Sequence, residues 1–409
     1  MTGVFETVGG ERFVEALRRQ PLPASAVAAL EAPADVRRFR LPVDGGAGPR
    51  LLTAWRVRYC DVLGPTKGGV RFHHAVSEAD LTALGFRLLL KCAVNALPHG
   101  GAGGGVAVDP RTLSAAEHEQ VARRYVDALG DSLRADRDIL SPDLGTDAQT
   151  MRWMADQCNR RSGSAVAGAI NGKPLAIGGI PGRPGATARG AWTVLREVFA
   201  RLGIEPRGLT FAVQGYGSAG GRLATLLQSE GLRLVGAADA SGGLFDAAGL
   251  DADALWAAKA GGERLGRRDP GSARAIGSSE VLAVPADVIV PAATANQITA
   301  DVAARLQCSM VVEIANSPIA PDAEAILRQR GIVVVPDIVV NAGGITMSHF
   351  EWAQNRGGLL WSEEDARVRL ESRMAATARR MIAVADERDV SITTAAQIMA
   401  IERLSAAFG

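Results

Sequence analysis

The sequence predicts an α/β fold in two parts: an N-terminal α/β domain over residues 1–185 and a doubly wound domain over 186–354, with C-terminal helices from about 355 to 409 returning to the first. Three observations predict it. Glycine concentrates in GGIPGRPGATARG (178–190), the composition of a connector. Beyond it, short β-branched apolar runs alternate with helical patterns, as in a parallel sheet covered on both faces. A chain of 409 residues, 47% hydrophobic, also has enough apolar mass for more than one core.

The elements follow in chain order. LLTAWRVRY (51–59) alternates with a period of two and reads as a strand. SEADLTALGFRLLLKCAVNAL (77–97) has apolar residues at helical spacing behind Ser77, with Asp80 three residues on, the start of a capping box and of a mostly buried helix. Residues 114–131 and 145–160 are helical, the second with Thr146 and Asp147 as candidate caps. After the connector come a helix at 186–203, a strand at 209–214, a helix at 218–231, and strands at 232–239, 286–292, 309–315 and 332–338. Residues 362–408 read as helical throughout.

Charge and composition exclude several functions. Lys plus Arg number 45 against 44 Asp plus Glu, a net charge of +1 that gives no field for nucleic acid or an anionic membrane. No run of 18 apolar residues exists and MTGVFETVGGERF lacks the charged and apolar regions of a signal peptide, so the expectation is a soluble cytoplasmic protein. Cys60, Cys92, Cys158 and Cys308 form no CxxC pair, and His73 and His74 make no ligand spacing, so neither a disulfide framework nor a metal site is expected. Lysine occurs only at 67, 91, 173 and 259 in a chain that otherwise uses arginine. Lys259 reads as a solvated helix residue and Lys173 as serving a turn or an interdomain contact.

The strand LTFAVQ runs into Gly215-Tyr216-Gly217-Ser218-Ala219-Gly220, a G-x-G-x-x-G opening a helix. Its first glycine permits the turn, its second lets the backbone approach a pyrophosphate, and its third allows close helix packing, as in Rossmann-type dinucleotide sites. Asp239 ends the next strand, 19 residues after Gly220, where a carboxylate would accept from a ribose hydroxyl. ASGGLFD, which follows, has no cation for a 2′-phosphate, so NAD is preferred to NADP.

Beyond this motif, GPTKGGVRFH (64–73), Lys91, PHGGAGGGVAVDP (98–110), SPDLGTDAQTM (141–151), NGKPLAIGGIPGRPGAT (171–187), EIANSP (313–318), VVPDIVVNAGG (334–344) and ITMSHFEW (345–352) resemble the glutamate dehydrogenases of the Glu/Leu/Phe/Val dehydrogenase family. The resemblance implies reversible NAD(P)-dependent oxidative deamination of an amino acid to a 2-oxo acid and ammonia, in a homohexamer or a mixed oligomer with a paralogue. It implies that Lys91 binds the α-carboxylate, that Lys67 and Ser348 meet a side-chain carboxylate, and that Asp143 shuttles protons at the amino group. Thr187, Asn316, Gly215, Gly217, Ser218, Ala219, Gly220 and Asp239 would hold the cofactor.

The resemblance breaks where the family carries its catalytic lysine, at Gly103. A positioned acid/base group contributes a factor of about 10² to 10⁴, so ordinary glutamate deamination is expected to be slow. The substitution is expected to leave a space that an altered substrate could fill. Asn171, Ile180, Ser218 and Ala188 also depart from the usual residues; His99, which would titrate near pH ~6.5 if unperturbed, could in principle supply a base, but a loop histidine without that role is the favoured reading. Two functions compete: an oxidoreductase acting on the CH–NH2 or imine group of an amino acid, with altered substrate or chemistry, and a catalytically impaired regulatory or NAD- and dicarboxylate-binding subunit.

Overall fold

The computed structural model describes residues 3–45, 48–163, 165 and 167–409. The chain forms two compact units: Met1–Arg183 with Ile345–Val368 and Gln397–Gly409, and Pro184–Gly344 with Arg369–Ala396. The C-terminal return therefore begins earlier than the sequence expectation of about 355, and part of the terminal helical region belongs to the second unit.

In the first unit, α1 (Gly3–Arg19, broken at Gly10) and α2 (Ala24–Leu30) precede β1 (Asp35–Gly45) and β2 (Gly48–Cys60). Next come β3 (Thr66–Phe72), α3 (Glu78–Val94), β4 (Gly100–Val106), α4 (Ala115–Leu129), β5 (Asp138–Pro142) and α5 (Ala148–Ser162). The sheet order is β1-β2-β4-β3-β5. β4 pairs antiparallel with β2 (Val57 opposite Gly103) and parallel with β3 (Lys67 opposite Gly101). The capping box of Ser77 and Asp80 starts α3, and Asp147 with Thr150 caps α5.

β4 is the least predictable element. Its sequence GGAGGGV has almost no side chains and no β-propensity, yet every residue is buried. Those missing side chains bring α3 onto the sheet at backbone distance. An ideal Cβ at Gly101 would lie 2.0 Å from Gly85 O, and one at Gly103 would lie 2.3 Å from Leu81 O. On β4's other flank, a Cβ at Gly104 would meet Tyr125 Oη at 2.3 Å and Arg56 Nη1 at 3.1 Å. The Arg56 guanidinium, 1% exposed, reaches from β2 to Asp138 on β5, donating from Nε at 2.9 Å and Nη2 at 2.5 Å, and donates also to Gly68 O and Ile139 O. Both charges are buried and paired.

The second unit is built on α6 (Ala186–Leu202), β6 (Thr210–Gln214), α7 (Ser218–Ser229), β7 (Arg233–Asp239), β8 (Gly242–Phe245), α8 (Ala252–Ala260) and β9 (Arg274–Ile276). It continues through β10 (Val288–Pro291), α9 (Ala300–Arg305), β11 (Met310–Val312), α10 (Pro321–Gln329), β12 (Val333–Val335) and α11 (Asp337–Val340). Its sheet, β12-β11-β10-β6-β7-β8-β9, is parallel through β7, the doubly wound pattern expected, and gains an antiparallel edge from β8 and β9 that the sequence reading lacked. The apolar strand ends shorter than predicted at 332–338, because α11 starts at Asp337. The terminal helices are α12 (Gly343–Gly357), α13 (Glu363–Arg388) and α14 (Ile392–Phe408); the last two part near Asp389, whose φ is +48°.

The α3 to β4 contact generates a prediction. Gly103→Ala adds one methyl group against a backbone carbonyl, so chemical denaturation should show a loss of about 1–3 kcal/mol. Unchanged stability would mean that α3 yields at no cost.

Candidate active site

In the first unit, β3 and α12 bring one polar cluster together. Lys67, on β3, is 1% exposed and donates from Nζ to Asn171 Oδ1. The same oxygen accepts from Ser348 Oγ on α12 at 3.4 Å. Asn171 is fully buried, its backbone N–H donating to Leu140 O at 2.8 Å. Burial pulls the Lys67 ammonium down to about 7; Glu351 opposes the shift, and Arg183 and Lys173 reinforce it. Lys91, in the last turn of α3, is 5% exposed. Lys67 and Lys91 both act on Cys92, whose thiol burial pushes up to about 12 against their pull.

Lys173 is neither a simple turn residue nor solvated. Its Nζ donates to Glu351 Oε1 and Asn355 Oδ1, each at 2.8 Å, and Glu351 also accepts from the backbone N–H of Gly172 at 2.9 Å. This buried ion pair fastens the loop carrying Asn171 to α12, within one unit.

Asp143 follows β5 and packs against the bare backbone of Gly69, where an ideal Cβ would be 2.6 Å from Asp143 Cβ. Its carboxylate accepts from Arg71 Nη2 at 3.2 Å and from the Leu144 N–H at 2.7 Å, half-buried and held in one orientation. One sequence expectation about the neighbouring chemistry fails. The space expected above Gly103 does not exist, because the Leu81 carbonyl of α3 occupies it. His99 is fully buried, and burial, helped by Lys67 and His349, pushes its imidazole down to about 2, in keeping with the favoured reading of a histidine without a base's role. Its Nε2 lies 3.0 Å from His349 Nδ1 and its ring meets Trp352 edge-on, which is a packing role.

In the second unit, the glycines at the end of β6 fit a dinucleotide. Gly215 has φ +92°, and its ideal Cβ would be 2.6 Å from the Ala292 carbonyl carbon, so only glycine makes this turn. An ideal Cβ at Gly220 would strike Gly215 O at 2.2 Å. At Gly217 nothing lies within 4 Å, which leaves the backbone and the start of α7, with Ser218 exposed and Ala219 half-buried, open to a phosphate. Thr187 stands in the first turn of α6, and an ideal Cβ at Gly344 would lie 3.0 Å from its Oγ1. Asn316 Oδ1 accepts from Asn341 Nδ2 at 3.2 Å.

Asp239 differs most from its expected state. Its carboxylate is 10% exposed and accepts from Lys259 Nζ at 2.6 Å, Ser241 Oγ at 2.5 Å, Ser241 N–H at 2.8 Å and Leu265 N–H at 3.1 Å. Burial opposes ionisation, yet these donors, Lys259 first, hold its pKa near 2. A carboxylate has about four acceptor sites, so a ribose hydroxyl reaches Asp239 only by displacing one of these donors. Lys259 is an ion-pair partner rather than a solvated helix residue. Among the described residues no cluster of His, Cys, Asp and Glu could hold a metal, and no helix is long and apolar enough to cross a membrane.

Comparison with known proteins places this geometry. Residues 33–160 match the Glu/Leu/Phe/Val dehydrogenase dimerisation domain, and residues 178–408 match the Glutamate/Leucine/Phenylalanine/Valine dehydrogenase family. The chain is 38% identical to the catabolic NAD-specific glutamate dehydrogenase of Bacillus subtilis, covering 95% of this chain and 91% of that one. It is 37% identical to the NADP-specific glutamate dehydrogenase of Synechocystis, over 100% and 97% of the two chains. The hetero-hexameric glutamate dehydrogenase of Thermus thermophilus, in a leucine-bound form, superposes with a TM-score of 0.93 at 36% identity, covering 99% of this chain and 96% of that one.

The open face of Gly217 can be tested. Its φ of −91° suits any residue, so Gly217→Val should keep the thermal midpoint of the native chain. Its branched side chain should weaken NADH binding, followed by fluorescence titration, at least tenfold; unchanged affinity would remove the phosphates from this turn.

Proposed function

The chain belongs to the Glu/Leu/Phe/Val dehydrogenase family, and on that footing we propose that it is an NAD-dependent oxidoreductase acting on the CH–NH2 or imine group of an amino acid. The observation that carries the proposal is that Lys67 and Ser348 meet on Asn171 and that Lys91 is buried as well, in a chain that has only four lysines. Lys91 holds the substrate α-carboxylate, and Lys67 with Ser348 forms the subsite for the side-chain end. Asp143, oriented by Arg71, takes and returns the proton of the amino nitrogen. Gly215, Gly217, Ser218, Ala219 and Gly220 cradle the dinucleotide, while Thr187 and Asn316 hold its nicotinamide end. The bound nicotinamide supplies the hydride acceptor and donor. No lysine at 103 activates water, so hydrolysis of the imine lacks that group's factor of about 10² to 10⁴, roughly 3–6 kcal/mol of barrier.

NAD is the preferred dinucleotide. Lys259, the cation that meets the end of β7, is engaged by Asp239 at 2.6 Å and is not offered to a 2′-phosphate. The assembly is a cytoplasmic homohexamer or a mixed oligomer with a paralogue.

One observation favours a second reading, a regulatory or NAD- and dicarboxylate-binding subunit: the backbone of α3 fills the position where the family lysine would stand. That reading fits the hetero-hexameric assembly of the Thermus protein.

The test is reductive amination by the purified native chain, with NADH or NADPH, ammonium and a panel of 2-oxo acids. Turnover with NADH above NADPH, reduced about 100-fold or more in kcat/KM by Lys91→Ala, is the expected result. No turnover on any acid, together with tight NADH binding, would leave the subunit reading, and a preference for NADPH would overturn the cofactor assignment.

A further inference from the structure

We propose that Asn171 closes the side-chain subsite to carboxylates, so that the chain selects 2-oxo and amino acids whose side chain ends without a charge. The proposal rests on the amino acid oxidoreductase reading above and names its substrate class.

Two donors of the subsite, Lys67 Nζ and Ser348 Oγ, converge on one acceptor, and that acceptor is the chain's own amide oxygen, Asn171 Oδ1. A distal carboxylate oxygen would need the same two donors. The three residues are sealed, with Asn171 at 0%, Lys67 at 1% and Ser348 at 2% exposure. The amide is also held in place. Its backbone N–H is bonded to Leu140 O at 2.8 Å, its Nδ2 points to Gly168 O at 3.4 Å, and the following residue, Gly172, donates to Glu351 at 2.9 Å. An acceptor fixed on a rigid loop competes at a high effective concentration with any ligand oxygen.

The neighbouring carboxylate does not release it. Glu351 is engaged by Lys173 Nζ and by backbone N–H groups, so Lys67 is left with the neutral amide as its hydrogen-bond acceptor. An incoming carboxylate would have to break two hydrogen bonds to Asn171 and face its carbonyl oxygen, an acceptor against an acceptor. A side chain with an apolar or neutral end leaves the Lys67–Asn171–Ser348 arrangement intact.

Calorimetric titration of the full chain tests this without turnover, using 2-oxoglutarate and 4-methyl-2-oxopentanoate as probes on the native chain, Asn171→Thr and Asn171→Asp. The native chain should bind the monocarboxylic acid more tightly. Asn171→Thr, which removes the amide oxygen and supplies a hydroxyl donor, should move the ratio of dissociation constants at least tenfold toward 2-oxoglutarate. Asn171→Asp, which pairs Lys67 with a full charge, should move it the other way, so the proposal stays testable if one variant fails to fold. Tighter binding of 2-oxoglutarate by the native chain, or a ratio that ignores residue 171, overturns it. Absence of turnover on every 2-oxo acid would remove the enzyme reading alone, since the binding ratio still reports on Asn171.

Discussion

A strand almost without side chains governs the first unit. Because β4 reads GGAGGGV, α3 settles on it close enough for backbone to meet backbone at Gly101 and Gly103, while the guanidinium of Arg56 lies against Gly104 on its way from β2 to Asp138 on β5. Close packing of this kind tolerates no added volume. A residue at 103 has no room for a Cβ, so any side chain at this position demands a change in helix-to-sheet packing. A side chain could be accommodated there only if α3 moved.

The lysines of this arginine-rich chain each have a particular environment. Lys67 and Lys91 are buried at 1% and 5% exposure, and Lys173 is sealed in an ion pair with Glu351 whose side chains are 7% and 0% exposed. Lys259 holds the carboxylate at the end of β7. Arginine by contrast supplies many exposed pairs, such as Arg201 with Asp386 and Arg134 with Asp136, which contribute little in water. The ammonium is a compact point charge with three donors, whereas the guanidinium of Arg56, buried as deeply, uses its planar fork to reach both carboxylate oxygens of Asp138.

Local signals were legible in the sequence and long-range ones were not. Ser77 and Asp80 announced α3, Asp147 announced α5, and the glycine spacing after β6 announced the tight turn into α7, because caps and tight turns depend on neighbours a few residues apart. β4 could not be read, since glycine has no strand preference and its burial comes from α3 and its sheet neighbours. β8 and β9 are short strands added antiparallel beyond β7, β8 on β7 and β9 on β8, and their pairing has no periodic signature. Asp239 was placed correctly at the end of its strand, but its saturation by Lys259 and Leu265 comes from residues 20 and 26 positions away. Asn171 could be noticed only as an unusual residue. That it joins Lys67 to Ser348 is a fact of the tertiary fold, over separations of 104 and 177 residues.

The claim on which the account turns is that α3 stays on β4 when the chain binds its ligands. A crystal structure of the native chain with a 2-oxo acid and NADH bound measures this directly, through the position of an ideal Cβ at Gly103 relative to Leu81 O. A separation that remains below 3 Å, close to the present 2.3 Å, is the predicted result. A helix drawn back far enough to leave ordinary van der Waals room at residue 103 would contradict the account.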